Sequence, residues 1–189
     1  MRKFLIPLAM CIAAMATSTA FGQATEMDAY MAQTECTDAY TECVSESMAF
    51  ESMKAMTEEV KDAGMAVFQD LMAAGVDPNL LNLGATYWQL GHQQYAAAAA
   101  EAWEAVADML LGEGNHTQGD WCLLAGDYDG AVSAYNLAES QYDAGTDHWL
   151  SALVSMYNAK TLFDMAFSEW MTVAEEWNGG GPPAGGGMP

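Results

Sequence analysis

LLNLGATYWQLGHQQYAAAAAEAW, residues 80–103, decides the fold, because its columns return twice further along the chain. Ala96, Ala131 and Ala166 stand 35 residues apart. Four residues after each stand Ala100, Tyr135 and Trp170, and seven after stand Trp103, Ala138 and Val173. Before each alanine come Gly91, Gly126 and Thr161, preceded by Tyr87, Cys122 and Tyr157. Small and aromatic residues spaced by three, four and seven belong to helices, and Leu90-Gly91-His92 and Ala125-Gly126-Asp127 read as tight turns between them. Each copy is therefore expected to be a helical hairpin, with boundaries 77–111, 112–146 and 147–178. The alanine column needs a small residue where two helices cross closely. One hairpin of this size cannot cover its own apolar face, so stacking creates the core.

The columns resemble the tetratricopeptide repeat family in Leu80, Leu83-Gly84, Tyr87, Leu90-Gly91, Ala96 and Trp103 of the first copy. The second copy carries Gly119, Gly126, Tyr128, Ala131, Tyr135 and Ala138, and the third Leu150, Leu153, Tyr157, Phe163, Ala166 and Trp170. Thr161 replaces the usual turn glycine, and no proline closes a copy. The resemblance implies an all-α, right-handed α-solenoid of hairpins. Residues 25–76, rich in Glu, Met and Ala, are expected to form two or three helices with a break near Gly64, capping the first repeat or mediating self-association. Asp77-Pro78 suits the cap and first turn of the following helix.

Arg2 and Lys3 precede an apolar stretch from Phe4 to Ala16, followed by small residues. This is the layout of a secretory signal peptide over residues 1–24. Export to the periplasm, the cell envelope or the extracellular space is expected, with no membrane span in the mature chain. Residues 179–189 are almost entirely Gly and Pro and are expected to be a disordered tail.

The three lysines beyond residue 24, Lys54, Lys61 and Lys160, face 26 acidic residues, a formal charge of −23 with no arginine. Phosphate backbones are bound by Lys and Arg, so nucleic acid is excluded as a partner. Such a surface suits a basic partner or divalent cations, or serves solubility in salt. Cys36 and Cys43 lie in a segment expected to meet an oxidising compartment. On one continuous helix seven residues rise about 10 Å, beyond the reach of a disulfide. A bridge requires a turn in Thr37–Tyr40; free thiols and an intermolecular bond are the alternatives.

By the resemblance, the first helix of each hairpin lines a concave groove. Its residues are Leu81, Trp88 and Gln89 from the first copy, His116, Asp120, Leu123 and Leu124 from the second, and His148, Ser151, Ser155 and Asn158 from the third. Without Lys or Arg, that groove favours a peptide or protein with apolar anchors and a basic side chain to meet Asp120. Trp88 is the expected anchor. His116, Asp120 and His148 form the alternative, a metal site. Met27/Met31 and Met53/Met56 read as core filler in preference to Cu(I) ligands. No cofactor is expected, and no nucleophile elbow, zincin or phosphate-loop motif points to catalysis.

Overall fold

The computed structural model describes residues 23–180; the expected signal peptide, apart from its last two residues, and the tail from residue 181 onwards lie outside them. The described chain is helical, with no strand among the described residues. Three long helices, α1 (Glu26–Ala73), α2 (Asn82–Ala125) and α3 (Tyr128–Gly180), are joined by a short 3-10 turn at Pro78–Leu81 and by a two-residue link.

Each helix end follows from local chemistry. Thr25 and Asp28 form a reciprocal capping box at the start of α1: the Asp28 amide donates to Thr25 Oγ1 (3.2 Å), and the Thr25 amide donates to Asp28 Oδ2 (2.8 Å). The Thr25 hydroxyl also donates to Asp28 Oδ2 (2.7 Å), and that bond, followed by the one from the Thr25 amide, lowers the pKa of Asp28. At the other end Gly75 takes a φ of 77°, its amide donating to Met72 O while the Val76 amide donates to Leu71 O. That is a Schellman termination, and the buried side chains of Leu71 and Val76 share one apolar cluster, as the motif favours. Gly126 repeats the device at the end of α2 with φ 76°, the Asp127 amide donating to Cys122 O. Asp127 then caps α3 by accepting from the Gly130 amide (3.1 Å). Asp77 caps the 3-10 turn by accepting from the Asn79 amide.

The hairpins expected within 77–111 and 147–178 are not present. Helix α2 passes straight through Leu90-Gly91-His92, α3 passes through Thr161, and α1 passes through Gly64 without a break. The reason lies in a finer period inside the 35-residue columns. Thirty-five is five sevens, and buried residues recur every seventh position. In α2 these are Gly84, Gly91, Ala98, Ala105, Gly112 and Gly119; in α3 they are Tyr135, Tyr142, Trp149, Met156, Phe163 and Trp170. A second small-residue column in α3 runs Ala131, Ala138, Gly145, Ala152, Ala159 and Ala166, while α1 contributes Ala29, Cys36, Cys43, Phe50, Thr57, Gly64 and Leu71. A strict heptad is coiled-coil periodicity, which favours long packed helices over short stacked ones.

The helices contribute to two compact units. The first comprises residues 23–46 and Trp103–His148. Here the glycines of α2 admit the tyrosines of α3: a methyl on Gly112 would meet the Tyr142 ring at 2.5 Å, and one on Gly119 the Tyr135 ring at the same distance. Tyr40 of α1 stacks edge-on to Tyr142, and the Tyr135 hydroxyl donates to Asp120 Oδ1 (2.8 Å), which also accepts from Gln33 Nε2 (3.0 Å). Cys36 and Cys43 are buried on the core column of α1. The helix is unbroken through Thr37–Tyr40, so the turn needed for an internal Cys36–Cys43 disulfide is absent and the two sulfurs are not joined. Burial foremost, then the nearby Glu139 and Asp120, push the Cys36 thiol up to about 11. Alkylation of the native protein should therefore modify Cys122, which is partly exposed, and spare Cys36 and Cys43 until denaturant is added. Mass spectrometry showing rapid native labelling of Cys36 would contradict this packing.

The second unit comprises Ser47–Ala102 and residues 149–180. Its core is aromatic. Trp170 is fully buried against Gly84, stacks on Phe68 (4.8 Å) and Trp88 (5.4 Å), and donates from Nε1 to Leu81 O (3.3 Å). Phe163 fills the space over Gly91 and meets Trp88 at 4.9 Å. On the edge of this unit the Tyr95 hydroxyl donates to Glu58 Oε1 (2.6 Å), with Lys61 Nζ 5.2 Å from the ring centroid. Burial, and then the hydrogen bond to Glu58, push the Tyr95 phenol up to about 12. An unfolded chain ionises tyrosine near 10. The resulting stability is complete below about pH 10 and is lost as the pH climbs towards about 12. Tyr135 and Tyr142, also raised foremost by burial, extend the decline. In thermal scans across that range, Tyr95→Phe should make the fall shallower; an unchanged slope would remove Tyr95 as a contributor.

Candidate binding face

The stacked first helices expected to line a groove are absent among the described residues, because α2 and α3 run continuously through the expected turns at Gly91 and Thr161. The residues expected on them divide between the two units. In the second unit Leu81 is buried beside Trp170, and Trp88, the expected anchor, packs among Phe163, Trp170 and His92. Gln89, Ser151 and Asn158 are exposed, and Ser155 is half-buried. In the first unit His116 lies edge-on to Tyr135 and Tyr142, Asp120 is engaged by Tyr135 and Gln33, and Leu123 is half-buried. Leu124 alone among the expected apolar contacts stands well out, 81% exposed.

The alternative metal set is also dispersed. His148 Nε2 lies 3.7 Å from Asp108 Oδ2, and Asp108 precedes His116 by eight residues of α2, about 12 Å along the axis. Among the described residues no group of three or more His, Cys, Asp or Glu side chains is placed to hold a metal ion. Likewise no described helix is long and apolar enough to cross a membrane.

What the first unit does present is the outward face of α2. Trp103 (75% exposed), Leu110, Leu111, Trp121 (66%) and Leu124 all face solvent. At about 100° per residue, Trp103 and Trp121 point in one direction, five turns apart, and Leu110 and Leu124 fall within about 60° of them. The core column Ala105, Gly112 and Gly119 lies on the opposite side of the helix and is buried. Helix α2 is thus apolar on two opposed faces, one sealed by α1 and α3 and one open. Between the open tryptophans the small residues Ala107, Gly114 and Thr117 complete a run stepped by four and three, the spacing of a coiled-coil seam. A methyl on Gly114 would have no neighbour within 4 Å, so the middle of the seam is unobstructed. Glu104 and Glu113, both exposed, border it about a quarter-turn away on either side.

The repeat columns conceal this face, because Trp103 falls in an inward column with Ala138 and Val173, and Trp121 stands next to Cys122 of another. The usable signal was the number of apolar positions on α2, which is more than one packing face requires.

A smaller apolar hollow on α1 is lined by Met27, Tyr30, Met31, Thr34 and Glu35. No family model, curated protein or solved structure matches the chain.

Proposed function

We propose that this protein is an exported, non-catalytic binding scaffold that captures a protein partner on the outer face of α2. The observation that carries the reading is the solvent-facing stripe from Trp103 to Leu124, with two tryptophans and three leucines at high exposure. Large exposed apolar patches of this kind mark interaction surfaces, and tryptophan is the side chain most enriched where binding energy concentrates. The basic-then-apolar start of the sequence supports export to the periplasm or cell envelope.

A photo-crosslinking residue at Leu124 tests the reading in the producing cell. Adducts should form there and not at Glu42, an exposed α1 position, and should disappear in a Trp103→Glu/Trp121→Glu background whose helicity is unchanged. Adducts should be mapped with a protease that cuts at acidic residues, since no Lys or Arg lies between Lys61 and Lys160. Equal crosslinking from both positions, or none from Leu124, would reject the face.

A further inference from the structure

Resting on the reading of the outer α2 face as a docking surface, we infer that its occupant is a basic amphipathic helix of another protein. That helix lies along Trp103–Leu124, with apolar residues at coiled-coil spacing against the stripe and Lys or Arg along its borders.

Three observations lead there. The seam steps by four and three over 22 residues, about 33 Å or six turns, which matches the side-chain rows of a second helix and no other regular element. The backbone of α2 is saturated by its own hydrogen bonds, so an extended strand would find no edge to pair with. The small residues Ala107 and Gly114 leave recesses between the tryptophans where large apolar side chains of a partner can seat.

Charge then selects among helices. The first unit holds six acidic residues in 23–46 and nine in Trp103–His148, with no Lys or Arg in either segment. Burial, followed by repulsion from Glu35 and Asp143, raises the pKa of Glu139 among them. A second copy would bring the same acidic borders, Glu104 and Glu113, against themselves, and an anionic membrane would be repelled too. Cations on the partner remove that penalty and speed encounter.

Titrating the full purified chain with three synthetic 21-residue helices, while following tryptophan emission, tests the inference. One peptide has Leu at the seam positions and Lys at the flanks, the second exchanges Lys for Glu, and the third keeps the Lys composition with the Leu positions scrambled. The expected result is a saturable blue shift with the first peptide only, weakened about tenfold between about 50 and about 500 mM salt. It should be abolished by Trp121→Glu, with the circular dichroism spectrum of the variant confirming its fold. Equal binding of the Glu peptide overturns the charge requirement, and equal binding of the scrambled peptide overturns the helix requirement. A dimer in sedimentation that Trp121→Glu dissolves identifies a second copy as the occupant and overturns the proposal, as does a blue shift with neutral vesicles and none with peptide. Crosslinking at Leu124 fails independently: adducts without a response to the Lys peptide retain the scaffold and remove the basic helix, whereas a response without adducts removes the scaffold role in the cell.

Discussion

Trp170→Ala should lower the stability of the protein by about 3–5 kcal/mol, the range for removing a fully buried large aromatic. The indole is sealed against Gly84, Phe68 and Trp88 and makes a buried hydrogen bond to Leu81 O, so truncation opens a cavity and leaves a carbonyl without its donor. For a chain of this size the midpoint of thermal unfolding should fall by roughly 10 °C. A fall of only about 2 °C would mean that the aromatic cluster of the second unit collapses around the gap, and that its packing matters less than its geometry indicates.

Gly84→Ala should also destabilise, although alanine is the better helix former by about 1 kcal/mol. A methyl there would collide with Nε1, Cδ1 and Cε2 of the Trp170 indole, a rigid group already held by its own neighbours, and such overpacking costs about 1–3 kcal/mol. The net loss is about 1–2 kcal/mol, and Gly91→Ala and Gly112→Ala should behave alike beneath Phe163 and Tyr142. Gly114→Ala is the internal control, since nothing lies within 4 Å of the added methyl: the same substitution on the same helix should stabilise by about 1 kcal/mol. Chemical denaturation of the pair reads opposite signs. If Gly84→Ala and Gly114→Ala shifted stability in the same direction, the close approach of α2 to Trp170 would be disproved. Combining Gly84→Ala with Trp170→Ala should cost less than the two separately, because the methyl then occupies vacated space.

The helical class, the capped start at Asp77-Pro78 and the turn at Gly126-Asp127 were all legible in the sequence, because each depends on local chemistry. Gly91 was not. A glycine flanked by Leu and His looks the same whether it ends a helix or makes room beneath a ring such as Phe163, and only the residue across the interface distinguishes the two. The 35-residue columns are real, yet a repeat of hairpins and five consecutive heptads generate the same columns. The run Ala131, Ala138, Gly145, Ala152, Ala159 and Ala166 carries the shorter period and decides between them. Of the side chains on the proposed binding face, Leu124 was identifiable in the sequence and Trp103 and Trp121 were not. Their exposure is set by which side of α2 its glycines commit to the core.

Heptad helices can slide past one another by seven residues and still match apolar to apolar, which makes mis-registration their characteristic folding error. The α2 column, in which the pairs Gly84/Gly91 and Gly112/Gly119 flank Ala98 and Ala105, acts as a ratchet against it. Sliding α3 one heptad in one direction would carry Phe163 from Gly91 onto Ala98, and sliding it in the other would carry Tyr142 from Gly112 onto Ala105, so either shift drives a ring into a methyl. The glycines therefore do more than let the helices approach: they mark the alignment in which Trp170, Phe163, Tyr142 and Tyr135 each meet a residue without a side chain.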